Sequence, residues 1–177
     1  MMPLQGIRVP PLSRKDIQIM TERVRSSIKW DDPWFPVVQF LEFGLPKIFP
    51  GFLFDVLSKS EMGDNHGATI PERNLIQIRE DVFEGAFSGK GRDRMTIAHE
   101  IGHYFLHRDL PILTKKMPQG GSHKPFLDSE WQASCFAGEL LIPVTLRGQR
   151  LVAQDISEKC GVSLDAANVT LRTWERS

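Results

Sequence analysis

The sequence has few cysteines, no excess of either charge and no long apolar segment. It contains two cysteines in 177 residues, and its 22 basic and 22 acidic side chains give a formal net charge of +0. Balanced charge excludes an overall field that would attract nucleic acid or an anionic membrane. No stretch reaches the roughly 18 apolar residues of a membrane helix, and the N-terminus lacks the apolar centre of a signal peptide. We therefore expect a cytoplasmic protein with Cys135 and Cys160 as reduced core residues.

The remaining composition is that of a globular protein with its own hydrophobic core. Hydrophobic residues make up 41% and charged residues 25% of the chain, which excludes a disordered or fibrous protein. Apolar residues at helical spacing predict a helix that is capped by Ser13 and continues to about Lys29. A shorter helix is predicted from Val37 to Phe43, with Gly44 closing its C-terminal end.

Short apolar runs separated by turn-forming residues follow these two helices. They lie at residues 52–57, 66–70 and 75–79, and their lengths and spacing predict a small antiparallel sheet. A loop with several glycines is expected at residues 83–93, followed by a long helix from about Arg92 to His107.

Three helices are predicted after a second loop at residues 111–127. The first runs from about Ser129 to Ile142, where Pro143 ends it. Two short helices joined at Gly161 follow.

The long helix contains a motif with two histidines and a glutamate. The residues His99-Glu100-Ile101-Gly102-His103 form an H-E-x-x-H pattern. Its two imidazoles lie four residues apart on one helix face, so both can bind a single ion. Glu100 points about 100° away and lies beside a metal-bound water as its general base. Most of the surrounding helix is apolar, and burying these polar groups would be costly without a partner such as a metal. Hydrogen-bonded core histidines are the alternative.

Two histidines leave a catalytic zinc site one protein ligand short. His107 is excluded by distance, because it lies eight residues, or about 12 Å, beyond His99, whereas two ligands of one zinc are about 3 to 3.5 Å apart. The metzincin pattern would place a histidine where this sequence has Asp109. We therefore predict a structural role for His107 and a ligand from another segment.

Glu130 is the preferred third ligand. Ser129 as N-cap with Gln132 three residues later would form a capping box, which places Glu130 at the first helical position. The helix dipole there favours an ionised carboxylate. Glu139 and, less favourably, Asp128 are the alternatives.

Two segments resemble the signature segments of the ImmA/IrrE zinc metallopeptidases. They are RMTIAHEIGHYFLH and EWQASCFAGELLIP. The resemblance implies that His99, His103 and Glu130 bind Zn²⁺ and that Glu100 is catalytic. Ser134 stands where the family usually has asparagine, and a side chain there can orient a zinc-bound histidine. A serine is shorter, so it would need a bridging water.

Together these features predict an α+β fold. A small antiparallel sheet packs on the central H-E-x-x-H helix and on a second ligand-bearing helix, followed by a helical C-terminal segment. We expect residues 1–145 to form a zincin-like metallopeptidase domain and residues 146–177 to pack on it.

The resemblance further implies a zinc-dependent endopeptidase that cleaves a protein substrate. Helix-turn-helix repressors of the XRE type, or a cognate antitoxin, are the first substrates to test. His123 and Tyr104 are candidates for stabilising the oxyanion, weighed against a surface histidine and a packing tyrosine. The segment His66–Ile70 could form the wall of the cleft. Manganese or iron could also occupy a His-His-Glu site.

Two other functions compete with this interpretation. The segment ISEKCGVSLDAANVTLRTW resembles the middle of a helix-turn-helix. Its second helix presents Asp165, Asn168 and Thr170 and lacks the basic residues that phosphate contacts require, which argues against direct nucleic-acid binding. The other alternative is a partner-regulated toxin or regulatory module with a structural zinc site.

Overall fold

The first part of the chain is helical. In the computed structural model, which describes residues 6–110 and 124–176, α1 spans Arg14–Ser27. Its N-cap is Ser13, which forms a capping box with Asp16. The predicted first helix is confirmed, and it buries Ile17 and Val24 in the core.

The second helical segment is longer than expected. It consists of α2 (Val37–Gln39), a π-helical turn (Phe40–Gly44) and α3 (Leu45–Ile48). The prediction that Gly44 ends the helix is wrong, because Gly44 keeps a helical φ of −78°. A Cβ at this position would collide with the ring of Phe40. The glycine therefore permits close packing and does not form a turn.

A three-stranded sheet follows. Its strands are β1 (Leu53–Leu57), β2 (Gly67–Ile70) and β3 (Leu75–Arg79), and α4 (Lys59–Met62) lies between the first two. The three predicted strands are confirmed, in the order β1-β3-β2. The expectation of a wholly antiparallel sheet is wrong, because β1 pairs in parallel with β3 while β2 pairs antiparallel. The chain turns back after β2 and inserts β3 between the two earlier strands.

The central strand explains an irregular sequence pattern. Leu75, Ile76 and Ile78 are all buried in β3, whereas a strand with one solvated face would alternate. The next element, α5 (Glu80–Phe87), occupies part of the predicted glycine-containing loop. Gly85 lies inside this helix, where a Cβ would collide with the side chain of Asp93. Its close packing, which only the structure reveals, is the reason for the wrong loop prediction.

Two long helices form the centre of the fold. They are α6 (Gly91–His107) and α7 (Ser129–Leu141), and both are predicted correctly. They cross at Gly102, where a Cβ would lie 3.0 Å from the carbonyl oxygen of Ala133 and 3.1 Å from Cβ of Phe136. The absence of a side chain at Gly102 lets the two backbones approach closely.

The N-terminus of α7 differs from the prediction. Asp128 is the N-cap, and its carboxylate accepts the N–H of Trp131 at 2.9 Å. The proposed capping box between Ser129 and Gln132 is therefore wrong, and Glu130 lies at the second helical position. Asp128, directly before Ser129, takes the capping role that was predicted for Ser129.

The C-terminal segment contains α8 (Ala153–Cys160) and α9 (Leu164–Glu175), joined at Gly161 with a φ of 62°. Ile156, Cys160 and Ala167 belong to the main hydrophobic core. The boundary between residues 145 and 146 stays a prediction. Both cysteines are free and buried, as expected. Among the described helices, none is both long and apolar enough to cross a membrane.

The α+β class is confirmed, with the sheet on one side of α6 and α7 on the other. Contacts of α6 with β2, β3 and α7 fix the position of its polar residues between them.

Candidate metal centre

Three side chains from α6 and α7 converge on one point. They are His99, His103 and Glu130, which together are called the metal group. The Nε2 atoms of His99 and His103 lie 3.0 Å apart. Glu130 places Oε2 at 3.1 Å from His99 Nε2 and Oε1 at 3.2 Å from His103 Nε2. Ligands of a tetrahedral zinc, with bonds near 2.0 to 2.1 Å, lie about 3.3 Å from one another. The donor atoms and their separations therefore fit a divalent metal ion.

The electrostatics of this group also suit a cation. The neighbouring imidazoles of His103 and His99 hold the pKa of Glu130 well below its usual range. An ionised carboxylate is the form that binds a metal. The three side chains are partly exposed, at 22%, 18% and 35% for His99, His103 and Glu130, which leaves a side open for water and substrate.

The two alternative carboxylates have other partners. Glu139 is buried and accepts a hydrogen bond from Arg14 at 2.7 Å. Asp128 caps α7 and also accepts the N–H of Gly6 at 3.1 Å. Within residues 6–110 and 124–176, Glu130 is the carboxylate that groups with the two histidines.

Glu100 directly follows His99 and lines the same cleft as this group. It is buried, with 8% of its surface exposed. The hydroxyl of Thr69 on β2 donates to its Oε2 at 2.7 Å and lies 3.0 Å from its main-chain carbonyl. A Cβ at Gly67 would lie 2.7 Å from its Cγ, so the β2 backbone contacts the glutamate directly. The role of Thr69 is not predictable from the sequence, because a threonine in a short strand is ordinary.

Ser134 reaches the metal group without a water. Its hydroxyl lies 3.2 Å from Nδ1 of His99. The expectation that a serine needs a bridging water is therefore wrong. Ser134 lies one helical turn after Glu130, so α7 supplies both a member of the metal group and a hydrogen-bond partner for His99.

Of the two oxyanion candidates, Tyr104 is not among the residues that line the cleft. Tyr104 is 1% exposed and packs edge-on against Phe49 and Phe52. Its hydroxyl lies 3.4 Å from Oδ1 of Asn74, so its role is packing. The other candidate, His123, lies outside the described residues.

His107 is buried next to the metal group. Its Nδ1 lies 3.1 Å from Nδ1 of His103, and its Nε2 lies 3.0 Å from Oε1 of Gln132. Burial lowers the pKa of His107 to about 4. As the distance argument predicted, it is not grouped with the ligands.

An open cleft surrounds the metal group. One wall is formed by β2 and includes Gly67 and Thr69. Further lining residues come from the start of α7 and from the N-terminal arm, which comprises residues 6–12. In this arm, Gly6 and Ile7 line the cleft. This arm is held by main-chain and side-chain hydrogen bonds, including that from the Ile7 N–H to Ser129 Oγ at 3.0 Å. The segment predicted as a cleft wall, His66–Ile70, contributes most of its residues to the lining.

Comparisons with known proteins agree with this geometry. The model of the Peptidase_M78 family, described as the IrrE N-terminal-like domain, matches residues 57–172. A comparison with curated proteins gave no match. A solved structure named as a Mycobacterium tuberculosis transcriptional regulator has a similar fold, with a TM-score of 0.59 and 16% sequence identity. The match covers 88% of this chain and 55% of that one, so the chain spans about half the length of that regulator. The matched region contains the H-E-x-x-H motif, Glu130 and Ser134 and spans more than half of the chain, which therefore belongs to the Peptidase_M78 family of IrrE N-terminal-like domains.

Proposed function

We propose that the chain is a zinc-dependent endopeptidase that cleaves a peptide bond in a protein substrate. The observation that carries the proposal is that Glu100 directly follows His99 and lines the same open cleft as the three converging side chains. Membership of a peptidase family supports the same chemistry. Zinc, when bound by His99, His103 and Glu130, would supply a Lewis acid and lower the pKa of a water toward about 7.

Glu100 would act as general base and general acid. Thr69 orients its carboxylate through the hydrogen bond to Oε2, and we assign proton transfer to Oε1. The carboxylate takes a proton from the attacking water and then returns it to the leaving amine. Its low exposure keeps bulk water away from the proton being transferred.

The substrate would bind as an extended strand. Among the described strands, β2 lies at an edge of the sheet and pairs with β3 on one side. The other side of β2 borders the cleft, so a peptide could add to it through main-chain hydrogen bonds. An internal segment of a protein can enter because the cleft is open along this strand.

The test compares Glu100→Gln with the matched change Glu84→Gln. Glu84 is exposed on α5 and outside the cleft lining. Zinc content is measured on the purified proteins, and cleavage of a mixed peptide library is followed by mass spectrometry. Glu100→Gln should retain zinc and lose about 10²- to 10⁴-fold in cleavage rate, while Glu84→Gln should match the wild type. Equal cleavage by Glu100→Gln would refute the role of the base.

Repressors and antitoxins are the proposed protein substrates. We infer a helix-turn-helix repressor of the XRE type, or a cognate antitoxin, from the family resemblance. Candidates encoded near the gene would be incubated with wild type and Glu100→Gln. A single new N-terminus that forms only with the wild type supports the assignment.

A partner-regulated module with a structural metal is the second candidate function. The similar fold belongs to a protein named as a transcriptional regulator. On α9, Leu164 and Val169 are 48% and 58% exposed, and exposed apolar side chains suit a protein partner better than DNA. A biological effect that persists in Glu100→Gln would favour this function, and a mobility-shift assay at low salt would test DNA binding.

A further inference from the structure

A buried row of side chains leads from the interior to one of the metal-facing rings. It consists of Gln132, His107 and His103. The contacts are 3.0 Å from Gln132 Oε1 to His107 Nε2 and 3.1 Å between the Nδ1 atoms of the two histidines. Gln132 and His107 are 1% and 5% exposed, so solvent does not compete for these hydrogen bonds.

The orientation of the Gln132 amide is fixed by two carbonyl groups. Its Nε2 donates to the carbonyl of Pro10 at 2.8 Å and to that of Phe126 at 2.9 Å. Only the NH₂ end of the amide has two hydrogens to donate. A flipped amide would place its oxygen against two carbonyl oxygens. Oε1 therefore faces His107 and accepts a hydrogen bond from His107 Nε2.

This contact determines which nitrogen of each ring carries hydrogen. With a hydrogen on Nε2, a neutral His107 has a lone pair on Nδ1. That lone pair accepts the Nδ1–H of His103, because two bare nitrogens facing each other at 3.1 Å would repel. His103 then presents a lone pair on Nε2, which is the atom that lies 3.0 Å from His99 Nε2 and 3.2 Å from Glu130 Oε1.

The other metal-facing ring has no such arrangement. Nδ1 of His99 contacts the hydroxyl of Ser134 at 3.2 Å, and this serine is exposed. A hydroxyl can donate or accept, so it is compatible with either tautomer of His99. The hydrogen-bond partner therefore fixes the tautomer of His103 but not that of His99. A substitution of Ser134 serves as the comparison for a substitution in the buried row.

We propose that Gln132 and His107 are positioning residues that hold His103 in its Nδ1–H tautomer and orient its Nε2 toward the metal. The proposal rests on metal binding by His99, His103 and Glu130. A metal-bound histidine is commonly oriented by a carboxylate or a carbonyl. For His103, the neutral imidazole of His107 takes that place. The same amide of Gln132 fixes Pro10 and Phe126, so the arm and the loop before α7 are tied to the orientation of a ligand.

The test uses two substitutions of His107 in the full chain. His107→Phe keeps an aromatic ring and removes both nitrogens, whereas His107→Gln restores an acceptor for His103 and a donor for Gln132. Zinc affinity is measured by competition with a chromophoric chelator, and thermal unfolding of the metal-free proteins is measured in parallel. His107→Phe should bind zinc about 10- to 100-fold more weakly, and His107→Gln should recover most of that loss. Ser134→Ala should cost less than His107→Phe.

A second measurement uses the wild-type protein alone. It therefore needs neither a zinc affinity nor a correctly folded variant. Nitrogen NMR of the wild-type histidine rings should place hydrogen on Nδ1 of His103 and on Nε2 of His107, with Nδ1 of His107 bare. Hydrogen on Nδ1 of His107 would overturn the proposal, as would equal zinc affinity of wild type and His107→Phe. Failure of the wild type to bind zinc would refute the proposed function, and the NMR result would still decide the hydrogen-bond order.

Discussion

Two glutamates on α7 have different roles because their surroundings differ. Glu130 and Glu139 are nine residues apart, which turns them about 180° around the helix axis. Glu130 contacts the two histidines, and Glu139 is buried against Arg14. Burial raises the pKa of Glu139, whereas the histidines lower that of Glu130. The same side chain therefore belongs to the candidate metal group at one position and to an ion pair with Arg14 at the other.

Replacing each glutamate by glutamine should separate these roles. Glu130→Gln removes the charged ligand, so zinc affinity should fall by more than the roughly 10- to 100-fold expected for a residue that only orients a ligand. Glu139→Gln should retain zinc at wild-type stoichiometry. Metal analysis after dialysis distinguishes the two, and the reverse pattern would show that Glu139 is the ligand.

The sequence indicates the candidate ligands and the candidate base better than the residues that contact them. His99, Glu100 and His103 follow from a local motif, and Glu130 follows from a second segment with its own resemblance. Thr69 could not be predicted, because it approaches Glu100 from a strand whose position depends on the whole fold. The contact between Gln132 and His107 depends on how α6 and α7 cross, which local spacing does not specify.

At the scale of elements, the crossing of α6 and α7 sets the geometry of the metal group. The backbones approach at Gly102, and α7 carries Glu130 less than one turn before the contact residue Ala133. A side chain that separates the helices at Gly102 would also move Glu130 away from the histidines.

A pair of glycine substitutions tests this crossing. Gly102→Val should lower the free energy of unfolding by about 1 to 3 kcal/mol through overpacking and should weaken zinc binding. Gly138→Ala on α7 is the control, because a Cβ there meets no atom of the described residues within 4 Å apart from the backbone of its own helix. It should raise stability by about 0.5 to 1 kcal/mol, since alanine is the better helix former. Chemical denaturation measures both, and a neutral Gly102→Val would contradict the close approach.

Helices and strands were predictable where a local pattern was strong, and their arrangement was not. The spacing of apolar residues predicted α1, α6, α7 and the three strands. The parallel pairing of β1 with β3 depends on where the chain returns, which turn residues do not reveal. The helix α5 was missed because glycines that pack closely resemble glycines that form loops.

At the scale of the whole molecule, buried arginines connect distant parts of the chain. The guanidinium of Arg94 donates to the carbonyls of Phe35, Cys160 and Gly161 at 2.8, 3.3 and 2.9 Å. It also lies 4.3 Å from the ring of Trp34. Arg94 therefore links α6 to the turn between α8 and α9 and to the segment before α2.

Replacing this arginine by lysine should destabilise the whole fold. Lysine cannot present a planar set of donors to three carbonyls, so Arg94→Lys should lower the free energy of unfolding by about 2 to 4 kcal/mol. Arg92→Lys, on the exposed side of the same helix, should stay within about 0.5 kcal/mol. Equal stability of the two variants would show that the carbonyl contacts contribute little.

The position of the N-terminal arm has a practical consequence for producing the protein. Gly6, the first described residue, and Ile7 line the cleft, so the described part of the chain begins beside the metal group. A polyhistidine purification tag at that end would bring additional imidazoles within reach of the zinc and could compete with its ligands. The same tag placed after α9, which supplies none of the described lining residues, would keep the chelating sequence out of the cleft during metal analysis.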